Sequence, residues 1–169
     1  MILRILGIDP GIAIVGFGVV DKEGSKITPV QYGSIQTVAH TPEEDRLLHV
    51  YEGMVQLIDK YKPDTVAFEK LFFNRNVTTA MIVSQARGVM ILAAVQKGLP
   101  IGEYTPLQVK QAVVGYGKAE KKQVQEMVRI YLRLKEVPKP DDVADALAVA
   151  ICHAHSYTLN SMLNEVLRK

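Results

Sequence analysis

The chain has 169 residues, of which 48% are hydrophobic and 22% charged, and it contains one cysteine, Cys152. This length predicts a single domain spanning residues 1–169, and the composition is that of an ordinary globular protein without low-complexity tracts. A lone cysteine excludes an internal disulfide and suits a reducing compartment. No apolar run is expected to reach the ~18 residues that a membrane helix needs, so we expect a cytoplasmic protein with no membrane contact.

Charge is distributed unevenly along the chain, although the net charge is only +2. Between Tyr104 and Pro140 there are eight lysines and arginines against three glutamates, whereas residues 1–60 hold five basic and eight acidic side chains. Such asymmetry indicates either one basic face that meets nucleic acid or a solvated helix surface, and charge by itself leaves both interpretations open.

The first predicted strand, Ile2–Asp9, is a nearly continuous apolar run. Such a run is typical of a central strand that is buried on both faces of a sheet. Pro10 and Gly11 end it in a turn, which leaves the Asp9 carboxylate at the mouth of the innermost strand. Asp9 either initiates the turn or belongs to a site.

Two further strands, Ile12–Asp21 and Ile27–Gln36, are predicted to form an antiparallel meander with the first. A helix should follow, with Thr41 as its N-cap and Glu44 completing a capping box. That helix ends at Lys62-Pro63.

A short apolar strand, Thr65–Glu69, comes after this helix. Because a helix precedes it, we expect it to run parallel to the first strand. Ligands of such sheets gather at the carboxyl ends of parallel strands, so Glu69 and Asp9 are expected at the same edge.

The loop from Leu71 to Val77 contains Phe72, Phe73 and Arg75. Two adjacent phenylalanines in a polar loop either pack beneath it or are offered to a partner.

The next helix, Thr78–Gln96, is apolar on nearly all sides, which predicts burial all round. Gly88 costs ~1 kcal/mol in mid-helix, a cost that is understandable if another backbone packs closely there. Either helices of the same chain or a second subunit cover the outer face, and we expect a homodimer. The predicted interface residues are Met81, Ala86, Val89, Leu92 and Ala93.

The C-terminal part adds a fifth strand at Ile101–Tyr104, a short helix from Thr105-Pro106 to Val114, and a basic helix over Ala119–Leu134. A final helix is expected from Asp141 to about Ser156, with residues 158–169 as a tail that frays. Its first turn places Asp142 and Asp145 on one face. Capping and the helix dipole explain two acids there without any function.

Taken together, the four acids predict a metal site. Clustered carboxylates repel one another unless a cation joins them, and hard oxygen ligands suit Mg²⁺ or Mn²⁺. Two such ions about 4 Å apart are a known means of attacking a phosphodiester in line. The acids are Asp9, Glu69, Asp142 and Asp145.

The sequence closely resembles the RuvC family, the bacterial crossover junction endodeoxyribonucleases. The stretches that carry the resemblance are Gly7–Gly11, Ala67–Phe73, Gln85–Val89, Gln108–Gly115, Ala119–Lys121 and Asp142–Ala148. The resemblance implies a ribonuclease H-like α/β fold, here a five-stranded mixed sheet flanked by helices. It also implies resolution of four-way (Holliday) DNA junctions by symmetric paired nicks in recombination and repair, and cooperation with the RuvA–RuvB branch-migration machinery.

The resemblance assigns roles to individual residues. It implies that the four acids are catalytic and bind two Mg²⁺ ions per site, with Mn²⁺ as a substitute, whereas Asp141 is a flanking or capping charge. It places a base-stacking aromatic at Phe72, with Phe73 beside it, and lysines near the cut strand at Lys110 and Lys121. Further DNA contacts are expected from Arg75, Lys118 and Lys122.

The sequence leaves three other interpretations to be distinguished. An actin-like ATPase or sugar kinase shares the opening Asp-Pro-Gly but needs two lobes and a second phosphate loop. A catalytically silent junction-binding module is disfavoured because carboxylates facing DNA repel it. A related ribonuclease H-like nuclease with another substrate is separated by comparing junction, duplex, flap and RNA–DNA hybrid cleavage.

Overall fold

The computed structural model describes residues 1–71 and 77–167, with side chains described up to Tyr157 outside that gap. Its elements are β1 (Ile2–Asp9), β2 (Ile14–Glu23), β3 (Lys26–Gln36), α1 (Glu43–Tyr61), β4 (Thr65–Glu69), α2 (Val77–Gln96), β5 (Ile101–Tyr104), α3 (Pro106–Val114), α4 (Lys121–Tyr131) and α5 (Asp141–Leu167).

The strands form one five-stranded mixed sheet in the order β3-β2-β1-β4-β5. β1 pairs antiparallel with β2, and β2 with β3, which confirms the predicted meander. β4 pairs parallel with β1 and with β5, which confirms the crossover inferred from the intervening helix. β1 therefore lies at the centre, as its apolar run predicted.

Helices cover both faces of the sheet, and the alternation of side chains along β1 separates two cores. Leu6 and Ile8 pack with residues of α1 and α2, whereas Ile5 packs with residues of α3, α4 and α5. Both cores contain many fully buried side chains. Asp9 continues the Ile5 series and so belongs to the α5 face.

Glycines let α5 approach the sheet at backbone distance. A Cβ atom built on Gly7 would lie 2.3 Å from the carbonyl oxygen of Ala146, and one on Gly16 would lie 1.9 Å from the carbonyl oxygen of Asp142. A Cβ on Gly18 would lie 2.5 Å from the side chain of Leu147. Only residues without a side chain fit beneath the helix here, so the sheet sequence sets how deeply α5 sits.

Three predicted boundaries were wrong. β2 begins at Ile14 rather than Ile12, because residues 10–13 form a bend. Thr41 does not cap α1: Pro42 is the N-cap without a side-chain bond, and the Thr41 hydroxyl donates to the carbonyl oxygen of Val38 at 2.7 Å. The α5 backbone continues to Leu167, beyond the expected end near Ser156.

The basic helix is also shorter than predicted, running over Lys121–Tyr131 as α4. In contrast, the predicted start of α3 is confirmed: Thr105 and Gln108 form a reciprocal capping box, and Pro106 occupies the first turn.

α2 is long and apolar enough, by length and composition, to cross a membrane, which corrects the expectation that no segment qualifies. Its inner face nevertheless belongs to the domain core, since Ala86, Met90, Ala93 and Ala94 are fully buried. Arg87 forms an ion pair with Glu103 on β5, which ties the helix to the sheet. A core helix with one open face accounts for these observations.

We expect Gly16→Ala to destabilise the fold by about 1–3 kcal/mol. The new methyl group would clash with the backbone of Asp142, which cannot move away without shifting α5. Gly33→Ala is the matched control: its Cβ would lie 3.1 Å from the ring of Phe17, a side chain that can shift. Thermal unfolding of both variants checks this. Equal melting temperatures for the two would show that the approach of α5 is not constrained by Gly16.

Candidate active site

Two acids end neighbouring parallel strands. Asp9 is the last residue of β1 and Glu69 the last of β4, and each comes one residue after the register pair Ile8 and Phe68. Residues in register on parallel strands point to the same face, so both carboxylates face α5 at one edge of the sheet. The sequence prediction for this pair is confirmed in its topology.

The other two acids come from the first turn and a half of α5. Gly16, the cross-strand partner of Asp9, is the glycine whose Cβ would collide with the carbonyl oxygen of Asp142. The start of α5 therefore lies directly over the strand position beside Asp9. One helical turn later, Asp145 faces the same region and lines a cleft together with Glu69.

Among the four acids, the pKa of Asp9 is the most strongly perturbed. Burial raises the pKa of the Asp9 carboxyl to about 8, and the charges of Asp145, Glu69 and Asp142 act in the same direction. Burial, then the Asp145 charge, also raises the pKa of Glu69. The structure has thus gathered these carboxylates closely enough that each disfavours ionisation of its neighbours.

Lys121 partly offsets this repulsion. Its ammonium group lies 3.0 Å from a carboxylate oxygen of Asp145 and 3.7 Å from one of Asp141. Burial opposes the charged form of Lys121, but the hydrogen bond and charge of Asp145 outweigh it and raise the lysine pKa. Even so, burial keeps the pKa of Asp145 raised despite this lysine.

A cleft of about 220 Å³ adjoins the acids, between the end of β4 and helices α3, α4 and α5. Its wall combines carboxylates, two lysines and apolar side chains. The lining residues are Glu69, Pro106, Val109, Lys110, Lys121, Val124, Asp145 and Ala148. A cleft with cations around an acidic centre is suited to an anionic substrate such as a phosphodiester.

Asp141 has a different environment from the other acids. Lys139 donates to it at 3.1 Å, and that hydrogen bond lowers the pKa of the Asp141 carboxyl. This arrangement agrees with the sequence interpretation of Asp141 as a flanking charge at the helix start.

Across residues 1–71 and 77–167, no three acidic, imidazole or thiol side chains already stand in a metal-binding arrangement. The chemistry of the donor set still fits a hard divalent cation. Burial and the neighbouring carboxylates raise the pKa of Asp9 to about 8, and a cation among those oxygens would favour the charged form instead. Asp9, Glu69, Asp142 and Asp145 would hold it.

The structure separates the predicted DNA contacts into three groups. Lys110 and Lys121 line the cleft beside the acids. Lys118 and Lys122 are exposed close to the start of α4. Phe72, Phe73 and Arg75 lie outside the described residues.

His153, on α5, was not identified from the sequence as a buried residue. The imidazole is 6% exposed, with Nδ1 2.8 Å from the Tyr104 hydroxyl and Nε2 3.1 Å from the Thr65 hydroxyl. Burial lowers the pKa of His153 to about 4, so it is neutral at physiological pH. It ties α5 to β4 and β5. The signal was available: His153 lies eight residues after Asp145, on the same helical face.

Comparisons with known proteins agree with this geometry. The family model described as "Crossover junction endodeoxyribonuclease RuvC" matches residues 5–153. A protein of that name from Brevibacillus brevis is 69% identical over 152 residues, covering 90% of this chain and 92% of its own. One from Desulfitobacterium hafniense is 58% identical and covers 98% of this chain and 100% of its own.

Solved structures resemble the chain in the same way. T. thermophilus RuvC, in complex with a Holliday junction substrate, matches with a TM-score of 0.89 and 37% identity, covering 94% of this chain and 96% of its own. A yeast mitochondrial Holliday junction resolvase matches with a TM-score of 0.61 at 16% identity, which supports the fold alone.

We expect Asp9→Asn to stabilise the metal-free protein at pH 8, by about 2 kcal/mol or roughly 5 °C. In the wild type the folded-state pKa of Asp9 is raised from 3.8 to about 8, so the folded state holds the proton more tightly than the unfolded chain. The stability this contributes is complete below about pH 4 and is lost as pH rises through 8. Asparagine does not ionise, so the variant does not lose this part of its folding stability as the pH rises.

Thermal unfolding in chelator across pH 4–8 measures this, with Asp141→Asn as the matched control. The pKa of Asp141 is lowered by Lys139, so removing its charge should not stabilise the protein. A wild type at least as stable as Asp9→Asn at pH 8 would contradict the repulsion described above.

Proposed function

The chain belongs to the RuvC family of crossover junction endodeoxyribonucleases, and we propose that it resolves four-way DNA junctions by Mg²⁺-dependent hydrolysis, cutting two strands symmetrically as a homodimer. The observation that carries the proposal is the meeting of Asp9, Glu69, Asp142 and Asp145 at one sheet edge, beside a cleft with two lysines. Its most similar structural relatives include one solved with such a junction.

The acids have complementary roles in this scheme. Asp9 and Glu69 stand on rigid strands and supply fixed oxygen ligands, whereas Asp142 and Asp145 approach from α5 and close the site. These carboxylates would hold two divalent cations, which would activate a water molecule and stabilise the leaving 3′ oxygen. Mn²⁺ accepts the same ligands and serves as a substitute.

The lysines bind the substrate backbone. Lys110 and Lys121 line the cleft, so their ammonium groups would be available to a phosphate bound there. With cations held by the acids, Lys121, now paired with Asp145, would be free to bind that phosphate. Lys118 and Lys122, both exposed, extend the cationic surface. The family resemblance suggests further contacts from Phe72, Phe73 and Arg75 to bases and phosphate at the crossover.

The homodimer uses the outer face of α2. Val77, Met81 and Leu92 are 71%, 62% and 50% exposed, and they recur on one side of the helix. Gly88 lies on this side with no atom within 4 Å of a built Cβ, so space is open for a partner backbone. Ala86 and Ala93 are 0% exposed and lie in the chain's own core, so the sequence-based interface is corrected to exclude them.

An apolar face of this kind needs a partner in water, and a second copy of the chain offers the same face. A four-way junction has near-twofold symmetry, so two identical active sites cut it at equivalent positions. We place the protein in the cytoplasm, in recombination and DNA repair, and in cooperation with the RuvA–RuvB branch-migration complex suggested by the family resemblance.

We expect Asp9→Asn, Glu69→Gln, Asp142→Asn and Asp145→Asn each to lower the rate of junction cleavage at least 100-fold without weakening junction binding. Each change removes a cation ligand and also removes a charge that repels DNA. Asp141→Asn, which alters an acid outside the cluster, should stay within a few-fold of the wild type.

Cleavage of labelled four-way junction and linear duplex, with Mg²⁺ and with chelator, measures this. Full activity of Glu69→Gln at moderate Mg²⁺ would contradict the assignment of the four acids as catalytic cation ligands. Equal cleavage of duplex and junction by the wild type would instead indicate a nuclease of another specificity.

We expect Leu92→Glu to convert the dimer to a monomer and to abolish paired nicking while single nicks persist, because two glutamates would face each other in an apolar interface. Leu48→Glu is the matched control, since Leu48 on α1 is similarly exposed, at 54%. Sedimentation of both variants at micromolar concentration, with nick counting on supercoiled cruciform DNA, tests this. A monomeric wild type that still makes paired nicks would overturn the dimer.

A further inference from the structure

The bend between β1 and β2 spans residues 10–13 and begins at the residue that follows Asp9. These four residues belong to neither strand. The turn is tight, since a Cβ built on Gly11 would lie 2.1 Å from the carbonyl oxygen of Ile14. The Ile12 side chain packs on the α1–α2 core, which anchors one side of the bend.

Thr37, just after the end of β3, holds the bend on the other side. Its hydroxyl donates to the carbonyl oxygen of Ile12 at 2.6 Å, and its backbone N–H donates to the carbonyl oxygen of Ala13 at 3.0 Å. Two consecutive carbonyl groups of the bend are thereby satisfied by one residue.

Arg46 on α1 completes the arrangement. Its Nε–H donates to the Thr37 hydroxyl oxygen at 2.9 Å. A guanidinium can only donate and a carbonyl oxygen can only accept, so the hydroxyl must accept from Arg46 and direct its own proton to Ile12. The threonine rotamer and proton are both specified, and each bond polarises the next.

We propose that Arg46 and Thr37 are positioning residues of the nuclease: through the carbonyl groups of the bend they hold Asp9 in the orientation that its cation requires. The inference rests on the proposed function and deepens it. The motifs around the acids include neither residue, and Arg46 is 37 positions from Asp9. Its hydrogen bond to Thr37 reaches the bend at Ile12, three residues after Asp9.

The geometry explains why these residue types are needed. The ends of β1 and β3 lie at the same sheet edge, as the register pairs Asp9–Gly16 and Ile14–Gln36 show. A short hydroxyl side chain after β3 reaches the bend, and a long, rigid donor from α1 reaches the hydroxyl. Lysine lacks a planar Nε donor, and valine keeps the shape of threonine without its hydroxyl.

The test compares Thr37→Val, Thr37→Ser, Arg46→Met and the Thr37→Val/Arg46→Met double variant. Thr28→Val is the matched control: Thr28 is on β3 too, and its hydroxyl donates at 3.4 Å to the carbonyl oxygen of Asp21, away from the site. The measurements are kcat and KM on a preformed four-way junction, and the increase in melting temperature on adding Mg²⁺ without DNA.

We expect Thr37→Val to lower kcat about tenfold with KM unchanged, and to reduce the Mg²⁺-dependent increase in melting temperature, as loss of a partner behind a metal ligand does. Arg46→Met should show the same losses, and the double variant should be no worse than either single variant, because all three break one chain. Thr37→Ser should recover the wild-type values, and Thr28→Val should retain them.

Amide hydrogen exchange distinguishes a local change at the bend from misfolding of the whole chain. In Arg46→Met, exchange should quicken at residues 11–14 and stay unchanged in β4 and α5. If Thr37→Val does not fold, Arg46→Met carries the same measurements, because it leaves both Thr37 bonds to the bend possible.

Three results would overturn the proposal. The first is that Thr37→Val matches Thr28→Val in kcat and in the Mg²⁺-dependent increase in melting temperature. The loss in Arg46→Met could lie wholly in junction affinity and vary with salt, which would make Arg46 a phosphate contact. The two single losses could multiply in the double variant. A wild type that binds Mg²⁺ but cuts no junction would count against the proposed function instead, and the Mg²⁺ responses would still judge the positioning.

Discussion

The close approach of α5 to the central strands is the constraint on which the rest of the structure depends. Gly7 and Gly16 have no side chain facing the helix: Gly7 lies against Ala146 and Ala150, and Gly16 lies against Asp142. Any side chain at those strand positions would lift the helix off the sheet. With the helix seated at backbone distance, its first turn lies beside Asp9, so one packing contact both buries the core and builds the acidic site.

This packing has an electrostatic cost. Burial and mutual repulsion raise the pKa values of Asp9, Glu69 and Asp145, and Lys121 compensates for only part of the charge. The two apolar cores, one on each face of the sheet, supply the stability that tolerates this strain. Because folding imposes this repulsion, binding of a cation among the carboxylates would relieve it and would stabilise the folded state.

α2 lies on the face of the sheet opposite the acids. Its inner face contributes Ala86, Met90 and Ala93 to the core, and Arg87 pairs with Glu103 across to β5. Its outer face, with Met81 and Leu92, is exposed. An apolar helix that is held on one side and open on the other presents a contact surface without disturbing the acids, which lie on the opposite face of the sheet.

The sequence by itself determined the strand order around β1, the convergence of Asp9 and Glu69, and the pairing of Asp142 with Asp145, because alternation and helical spacing are local rules. Only the tertiary structure decided which side of α2 is buried, since an apolar pattern on all sides carries no angular preference until a neighbouring helix supplies one. The burial of His153, the loss of the Thr41 cap and the Arg46–Thr37 contact to the bend likewise depend on partners distant in sequence, so no local pattern specifies them.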